Sequence, residues 1–222
     1  DYARIIIYTD MPEESPETFN TVKSVLDTAS HHYDAYHLAG EAATLYDMKN
    51  VVSTDTKLVN WIAVIGIFIV LLLTFKSLTI PLLLLFTIET AIWINLSFAY
   101  FSGKSFNFIG YLVISTVQLG ATVDYAILMT DRYLGCRKEL PKKEAMEKAI
   151  DDNLIAILIS AAILSTAGFT LAATSSNPIV SELGKLLGRG TLLSFIMVAC
   201  VLPGLLVLFD KITQKTTLHS GA

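Results

Sequence analysis

The residues best suited to chemistry in this chain are Gly120-Ala121-Thr122-Val123-Asp124-Tyr125, a carboxylate and a phenol inside an apolar run over 106–129. A charged side chain near the centre of a bilayer-length helix costs about 2.5–3.5 kcal/mol on insertion scales. Such residues face a bundle interior or a wet cavity, and function is their default reading. At 100° per residue, Gly120, Asp124 and Asp131 fall on one helical face, with Thr116 at its edge. Gly120 lets another backbone approach that face, and Tyr125 supplies a hydroxyl beside the acid. The chemistry open to this group is reversible protonation or cation coupling. The bland alternative is a structural aspartate held by interhelical hydrogen bonds. Glu89, near the middle of another apolar run, is a second candidate intramembrane acid, with a hydrogen-bonded packing role as its alternative. Asn95 and Gln118 read as interhelical hydrogen-bonders.

Little else in the sequence could do chemistry. No nucleophile–base constellation and no phosphate-binding loop is present, so the chain does not read as an enzyme, and energy from ATP would have to come from another subunit. Cys136 and Cys200 are isolated in different segments, which suggests neither a disulfide framework nor a metal site. The adjacent His31 and His32 read as exposed residues near a helix end rather than as metal ligands. No cofactor motif is evident. A basic stripe interleaved with aromatics is also lacking, which argues against nucleic acid as a partner.

The elements that must position Asp124 follow from hydropathy. The 222 residues are 53% hydrophobic and only 16% charged, against about a quarter charged in a soluble domain. Mean hydropathy is +0.58. The net charge of −4 says little about partners, because charge in a membrane protein is sorted by side of the bilayer. Crossing the hydrocarbon takes about 20 apolar residues. Five segments have about that length: 58–75, 78–101, 106–129, 154–173 and 183–209. Only Lys76-Ser77 separates the first two, so they should form a tight hairpin. Residues 131–150 carry Arg132, Arg137, Lys138, Lys142, Lys143 and Lys148, which makes this loop cytoplasmic by the positive-inside rule. Lys76-Ser77 and the C-terminal tail, with Lys211 and Lys215, fall on the same side. Residues 1–56, 102–105 and 175–181 then lie outside. Lys185 and Arg189 disagree with this count unless they snorkel to the outer surface. Within the loop, Pro141 can start a short helix on the membrane face, with Ala145, Met146, Ala149 and Ile150 as its apolar side.

Ahead of the spans, residues 3–9 read as a strand. Ser15-Pro16-Glu17 reads as a helix cap, with Phe19, Val22, Leu26 and Ala29 on one face. A second strand is expected at 35–38, closed by Gly40, and a helix over 41–54 should lead into the first span. A unit this small cannot bury much core alone. With no signal peptide before it, the chain is expected to begin inside a larger protein. Packing signals lie further on. Ala161, Ser165, Gly168 and Ala172 form a stripe of small residues, with Thr166 and Thr170 on another face, and Gly184, Gly188 and Gly190 open the last span. Pro203 should kink that span near its cytoplasmic end.

The segment "GATVDYAIL", Gly120–Leu128, resembles the Asp-Tyr motif of MMPL-type transporters in the RND superfamily. The flanking "TDRYLGCRKELPKKEAMEKAI", "ISAAILSTAGFTLAAT" and "GKLLGRGTLLSFIMVACVLPGLLVLFDK" fit as well, and "HLAGEAATLYDMKN" is similar to the end of the family's porter domain. The match covers nearly the whole chain and is more specific over 110–210 than over 1–56.

The resemblance implies an all-α polytopic bundle of five transmembrane helices at 57–210, with a cytoplasmic tail at 211–222. A partial α+β extracytoplasmic, porter-like segment at 1–56 would precede it. These elements would be the last five helices of one six-helix repeat, in an order that fits the second. Asp124 and Tyr125 would be one half of a proton relay, with its partner in the N-terminal repeat or a companion half. Gly120, Thr116, Ser165 and Gly168 would be the packing residues near it. The implied activity is proton-driven export across the cell membrane, with membrane lipids, protons and a lipophilic lipid, drug or peptide cargo as partners and homo-oligomers compatible. A protein-translocation motor of the SecD/SecF type is a related alternative, although the tyrosine after the aspartate favours the MMPL side. A non-transporting lipid sensor is the alternative from another class.

Overall fold

The computed structural model describes residues 4–12, 15–102 and 108–216, with positions 53, 54, 56, 57, 99, 100, 102 and 108–114 described by backbone alone. The chain divides into two units, Asp1–Thr56 and Lys57–Ala222.

In the first unit the expected helix forms as α1, Pro16–His32. The Ser15 hydroxyl accepts from the Thr18 amide, Pro16 occupies the first turn, and Glu17 complements the positive end of the helix dipole. His31 and His32 are exposed, and each places Nδ1 on a backbone carbonyl one turn back. Phe19 and Val22 are buried, and the Phe19 ring packs at a tilt against that of Tyr46 in the following helix, centroids 6.3 Å apart. The two expected strands do not form: residues 4–10 and 36–39 are irregular, and no strand occurs among the described residues. The physical reason is pairing. A strand satisfies its backbone only against a neighbour, and none lies beside Ile5–Tyr8, whose side chains stay open, Ile5 at 75% and Tyr8 at 89% exposure.

Helix α2, Glu41–Phe75, includes both the expected 41–54 helix and the first apolar run. It ends at Lys76, whose φ of 48° turns the chain sharply into α3, Thr79–Ser102. Helix α4 spans Phe108–Arg137 and α5 spans Lys142–Thr174. The expected separate surface helix within 131–150 is therefore absent. No glycine or proline lies between Lys142 and Gly168, so nothing interrupts α5, and the connection before it shrinks to 138–141. Ala145, Met146 and Ala149 are buried in the bundle core rather than laid on a membrane face.

The last run begins as α6, Pro178–Ile196, capped by the Asn177 side chain. It widens into a π-helical turn, Met197–Val201, and resumes as α7, Leu202–Leu208. The Leu202 amide reaches back five residues to the Met197 carbonyl. Pro203 follows at once. Its missing N–H and its ring at the carbonyl four residues back explain why regular α-helix gives way here. A short α8, Asp210–Thr216, tucks Asp210 and Thr213 against the bundle.

Four helices among the described residues are long and apolar enough to cross a membrane, with windows at Leu58–Phe75, Thr79–Phe98, Lys142–Thr174 and Pro178–Leu208. That is one fewer than expected. The fifth expected run falls on α4, which has the length at 30 residues, but its opening turns, 108–114, are described by backbone alone and stand outside that count, and the remainder, 115–137, carries Gln118, Asp124, Asp131 and Arg132.

Small residues set the tightest contact. A Cβ added to Gly168 would lie 2.6 Å from the Gly188 amide nitrogen, and one added to Gly184 would lie 2.6 Å from the Ala172 nitrogen. Ser165 donates to the Gly188 carbonyl at 3.0 Å. The small-residue stripe on α5 and Gly184 and Gly188 of α6 thus form one seam, in which backbone meets backbone.

Candidate functional site

Helix α4 is held at two levels by hydrogen bonds to the last run. In its first half, the Gln118 amide donates to the Gly190 carbonyl and to the Ser194 hydroxyl, both at 3.1 Å. Near its end, the Tyr133 hydroxyl donates to Asp210 at 2.7 Å, and Arg137 pairs with the same carboxylate at 3.1 Å. The sequence separations of these four pairs are 72, 76, 77 and 73. So constant an offset means that α4 runs parallel to α6 and α7 in fixed register. Position 124 therefore lies level with the π-helical turn Met197–Val201.

Helix α3 runs the other way. Asn95 donates to Gln118 Oε1 at 2.9 Å at one end, while Thr79 bonds Thr216 at 2.8 Å at the other. Counting the same number of residues from the Asn95–Gln118 pair, down α3 and down α4, reaches Glu89 and Asp124 together. The two candidate acids share one depth.

Their surroundings differ. Asp124 lies on an exposed face of α4 with Val117, Gly120, Leu128, Asp131 and Gly135. A Cβ added at Gly120 or Gly135 would meet nothing within 4 Å, so the described residues leave this face open. Tyr125, one residue on, turns inward and is 7% exposed in the core. Neither side chain has a hydrogen-bond partner among the described residues. Glu89 is half-buried, and its Oε1 is enclosed with no hydrogen-bond partner among the described residues. Thr116 is half-buried and engaged in a contact of its own. Ser165 and Gly168 belong to the α5–α6 seam.

Two clusters are not foreseen as units by the sequence. The first is the buried hub of Asn95, Gln118, Gly190 and Ser194. Arg189 joins it, donating from Nε to Asn95 Oδ1 at 2.7 Å and from Nη2 to the Asn95 carbonyl at 2.9 Å. A Cβ at Gly190 would strike Gln118 Oε1 and come within 2.6 Å of Asn95 Nδ2, so only glycine leaves room for the hub. The second is the Tyr133–Arg137–Asp210 latch, to which Lys142 adds a bond to the Val207 carbonyl at 3.3 Å. Burial pushes the Asp210 carboxyl up. Hydrogen bonds from Arg137 and Tyr133 and the charges of Arg137 and Lys142 outweigh that and hold it below its ordinary value. The signal the sequence offers for both clusters is a charge placed within or just after an apolar run, at Arg189 and Asp210.

Known proteins resemble the chain over most of its length. MmpL12 of Mycobacterium tuberculosis, named as a probable transport protein, is 25% identical over 205 residues, which is 89% of this chain and 18% of that protein. SCO0839 of Streptomyces coelicolor, named as a putative membrane protein, is 26% identical over 184 residues, 78% of this chain and 25% of the relative. ActII-3 of the same organism is 28% identical over 180 residues, 79% of this chain and again 25% of the relative. The chain thus spans a quarter or less of the curated relatives it matches. Residues 1–218 match the profile of the MMPL family. With that match running through both units and over the hydrogen-bonded helices that carry Asp124, the chain is a membrane protein that belongs to the MMPL family.

Proposed function

We propose that this chain is part of a proton-motive-force-driven exporter of lipophilic or amphiphilic compounds, with Asp124 as the group that binds and releases the proton. The observation that carries the reading is the open face of α4. A carboxylate turned to lipid is costly, and Asp124 has no partner among the described residues although glycines on the same face leave room for one. That face suits a further helix or a hydrated cavity supplied by the rest of a longer protein. In this reading α4 is a fifth span, since it packs among α3, α5 and α6. Glu89, at the same depth, is the second acid.

The positive charge of 131–150 supports a cytoplasmic location for the Asp210 end, with residues 1–56 outside. Proton entry down the membrane potential contributes about 2.3 kcal/mol per charge per 100 mV. Neutralising Asp124 changes what the open face can pack against, and that change is the stroke that moves cargo in the external domain.

The test is Asp124→Asn in the full-length protein, assayed for cargo efflux from proteoliposomes under an imposed pH gradient. Transport should vanish while membrane insertion and thermal stability stay unchanged. Full activity would remove Asp124 from the mechanism. Efflux that ignores the gradient would favour the lipid-sensing alternative, and gradient-driven movement of unfolded polypeptide would favour the protein-translocation one.

A further inference from the structure

The hub leaves a charge without a counter-ion among the described residues. Arg189 is half-buried, pinned by Asn95 through Nε and Nη2, and stacked 4.5 Å from the centre of the Phe98 ring. These contacts orient the guanidinium without cancelling its charge. The ion pairs among the described residues are Arg132–Asp152 and Arg137–Asp210, and neither involves Arg189. Lys185 lies four residues earlier, on the same face of α6 and one turn away, exposed and likewise without an ion pair among the described residues. Glu182, a turn further on, is engaged in a contact of its own.

Helix geometry gives the depth of this pair. The last run, Pro178–Leu208, has 31 residues. At about 1.5 Å per residue it is roughly 46 Å long, well beyond a hydrocarbon core of about 30 Å. The latch at Asp210 marks one polar boundary. Measured from Leu208, about 20 residues reach the other, close to Arg189. Helix α3 agrees, because about 20 residues counted from its start at Thr79, which bonds Thr216 beyond the latch, reach Phe98, the ring against which Arg189 stacks. Both cations therefore sit where lipid phosphates lie, at the membrane face opposite Asp210. The exposed apolar Phe98, Leu192 and Ile196 lie beside and below them.

We propose that Arg189 and Lys185 form a binding site for the phosphate of an anionic lipid headgroup, with Asn95 and Phe98 as positioning residues and the lipid's chains running along Leu192 and Ile196. Arg189 presents a guanidinium edge that matches two phosphate oxygens. Lys185 supplies a second point charge one turn closer to water. The site is independent of proton coupling and needs only that the helices cross a bilayer.

The experiment uses the full-length protein in phosphatidylcholine nanodiscs titrated with phosphatidylglycerol, with retained lipids counted by native mass spectrometry. The wild type should retain phosphatidylglycerol over phosphatidylcholine, each cation contributing about fivefold. Arg189→Gln should abolish most of that preference, Arg189→Lys should keep part of it, and Lys185→Gln should weaken it. Lys185 makes no contact within the hub, so its variant reports on binding even if Arg189→Gln fails to fold. An unchanged preference in Lys185→Gln, or in a folded Arg189→Gln, would overturn the proposal. So would displacement of the lipid by an excess of inorganic phosphate, which would make this a site for the free anion.

Discussion

Asp124 and Tyr125 are consecutive on α4 yet face different surroundings, the carboxylate on an open face and the phenol in the core. About 100° of helical rotation separates them. A residue directly beside Asp124 in sequence is therefore not a hydrogen-bond partner for it within the described structure. Tyr125 instead fixes how α4 is rotated, which keeps Asp124 on its open side.

Tyr125→Phe separates the ring from the hydroxyl. The ring fills the core and the hydroxyl has no partner among the described residues, so thermal stability should change by less than about 1 kcal/mol. Under the proton-coupling reading, transport should fall only if the hydroxyl bonds a group from outside the chain. A large loss of stability in Tyr125→Phe would show instead that the hydroxyl is satisfied within the fold.

Glu89→Gln tests the second acid. Its Oε1 is enclosed without a partner among the described residues, so the neutral amide should leave stability unchanged or raise it, by about 1 kcal/mol. If the shared depth with Asp124 reflects a shared role, gradient-driven transport should drop at least several-fold while the protein stays folded. Wild-type transport in this variant would return Glu89 to a packing role.

The glycines of α4 and α6 should respond in opposite ways. Gly190→Ala drives a methyl into Gln118 and Asn95, and should cost about 1–3 kcal/mol by overpacking. Gly120→Ala meets nothing and should be neutral or slightly stabilising for the fold of this chain. If a helix of the longer protein docks on Gly120, transport should nonetheless suffer. Thermal denaturation in detergent, paired with an efflux assay, distinguishes the two.

The latch sets a pH dependence. Because the Asp210 carboxyl is held below its ordinary value in the fold, its contribution is fully present above the unfolded carboxylate's pKa, near 3.9, and is lost as pH falls through the lower folded value. Stability should be flat in this respect from neutrality down to about pH 5 and decline in stronger acid. Asp210→Leu removes the acceptor of the Tyr133 hydroxyl and the partner of Arg137. It should cost about 1–3 kcal/mol at neutral pH, and its melting temperature should lose the acid-dependent component.

By itself the sequence determined the features that depend on neighbours within a few turns: the apolar runs, the capped helix after Ser15, the small-residue stripe on α5, and the placement of Gly120, Asp124 and Asp131 on one helical face. Each follows from helical periodicity or local capping, which act over a few residues. Tertiary structure decided what depends on distant partners. Asn95 meets Arg189 across 94 positions, and Tyr133 meets Asp210 across 77, and no local pattern announces such pairs. The same physics explains the differences from expectation. The apolar run at Ile5–Tyr8 has strand-forming residues but no strand to pair with. The segment after Lys142 has the composition of a surface helix, but it continues unbroken into α5 and buries Ala145 and Ala149 in the core. Helical geometry could say which residues share a face with Asp124; only the packing of the other helices could say that this face is left open.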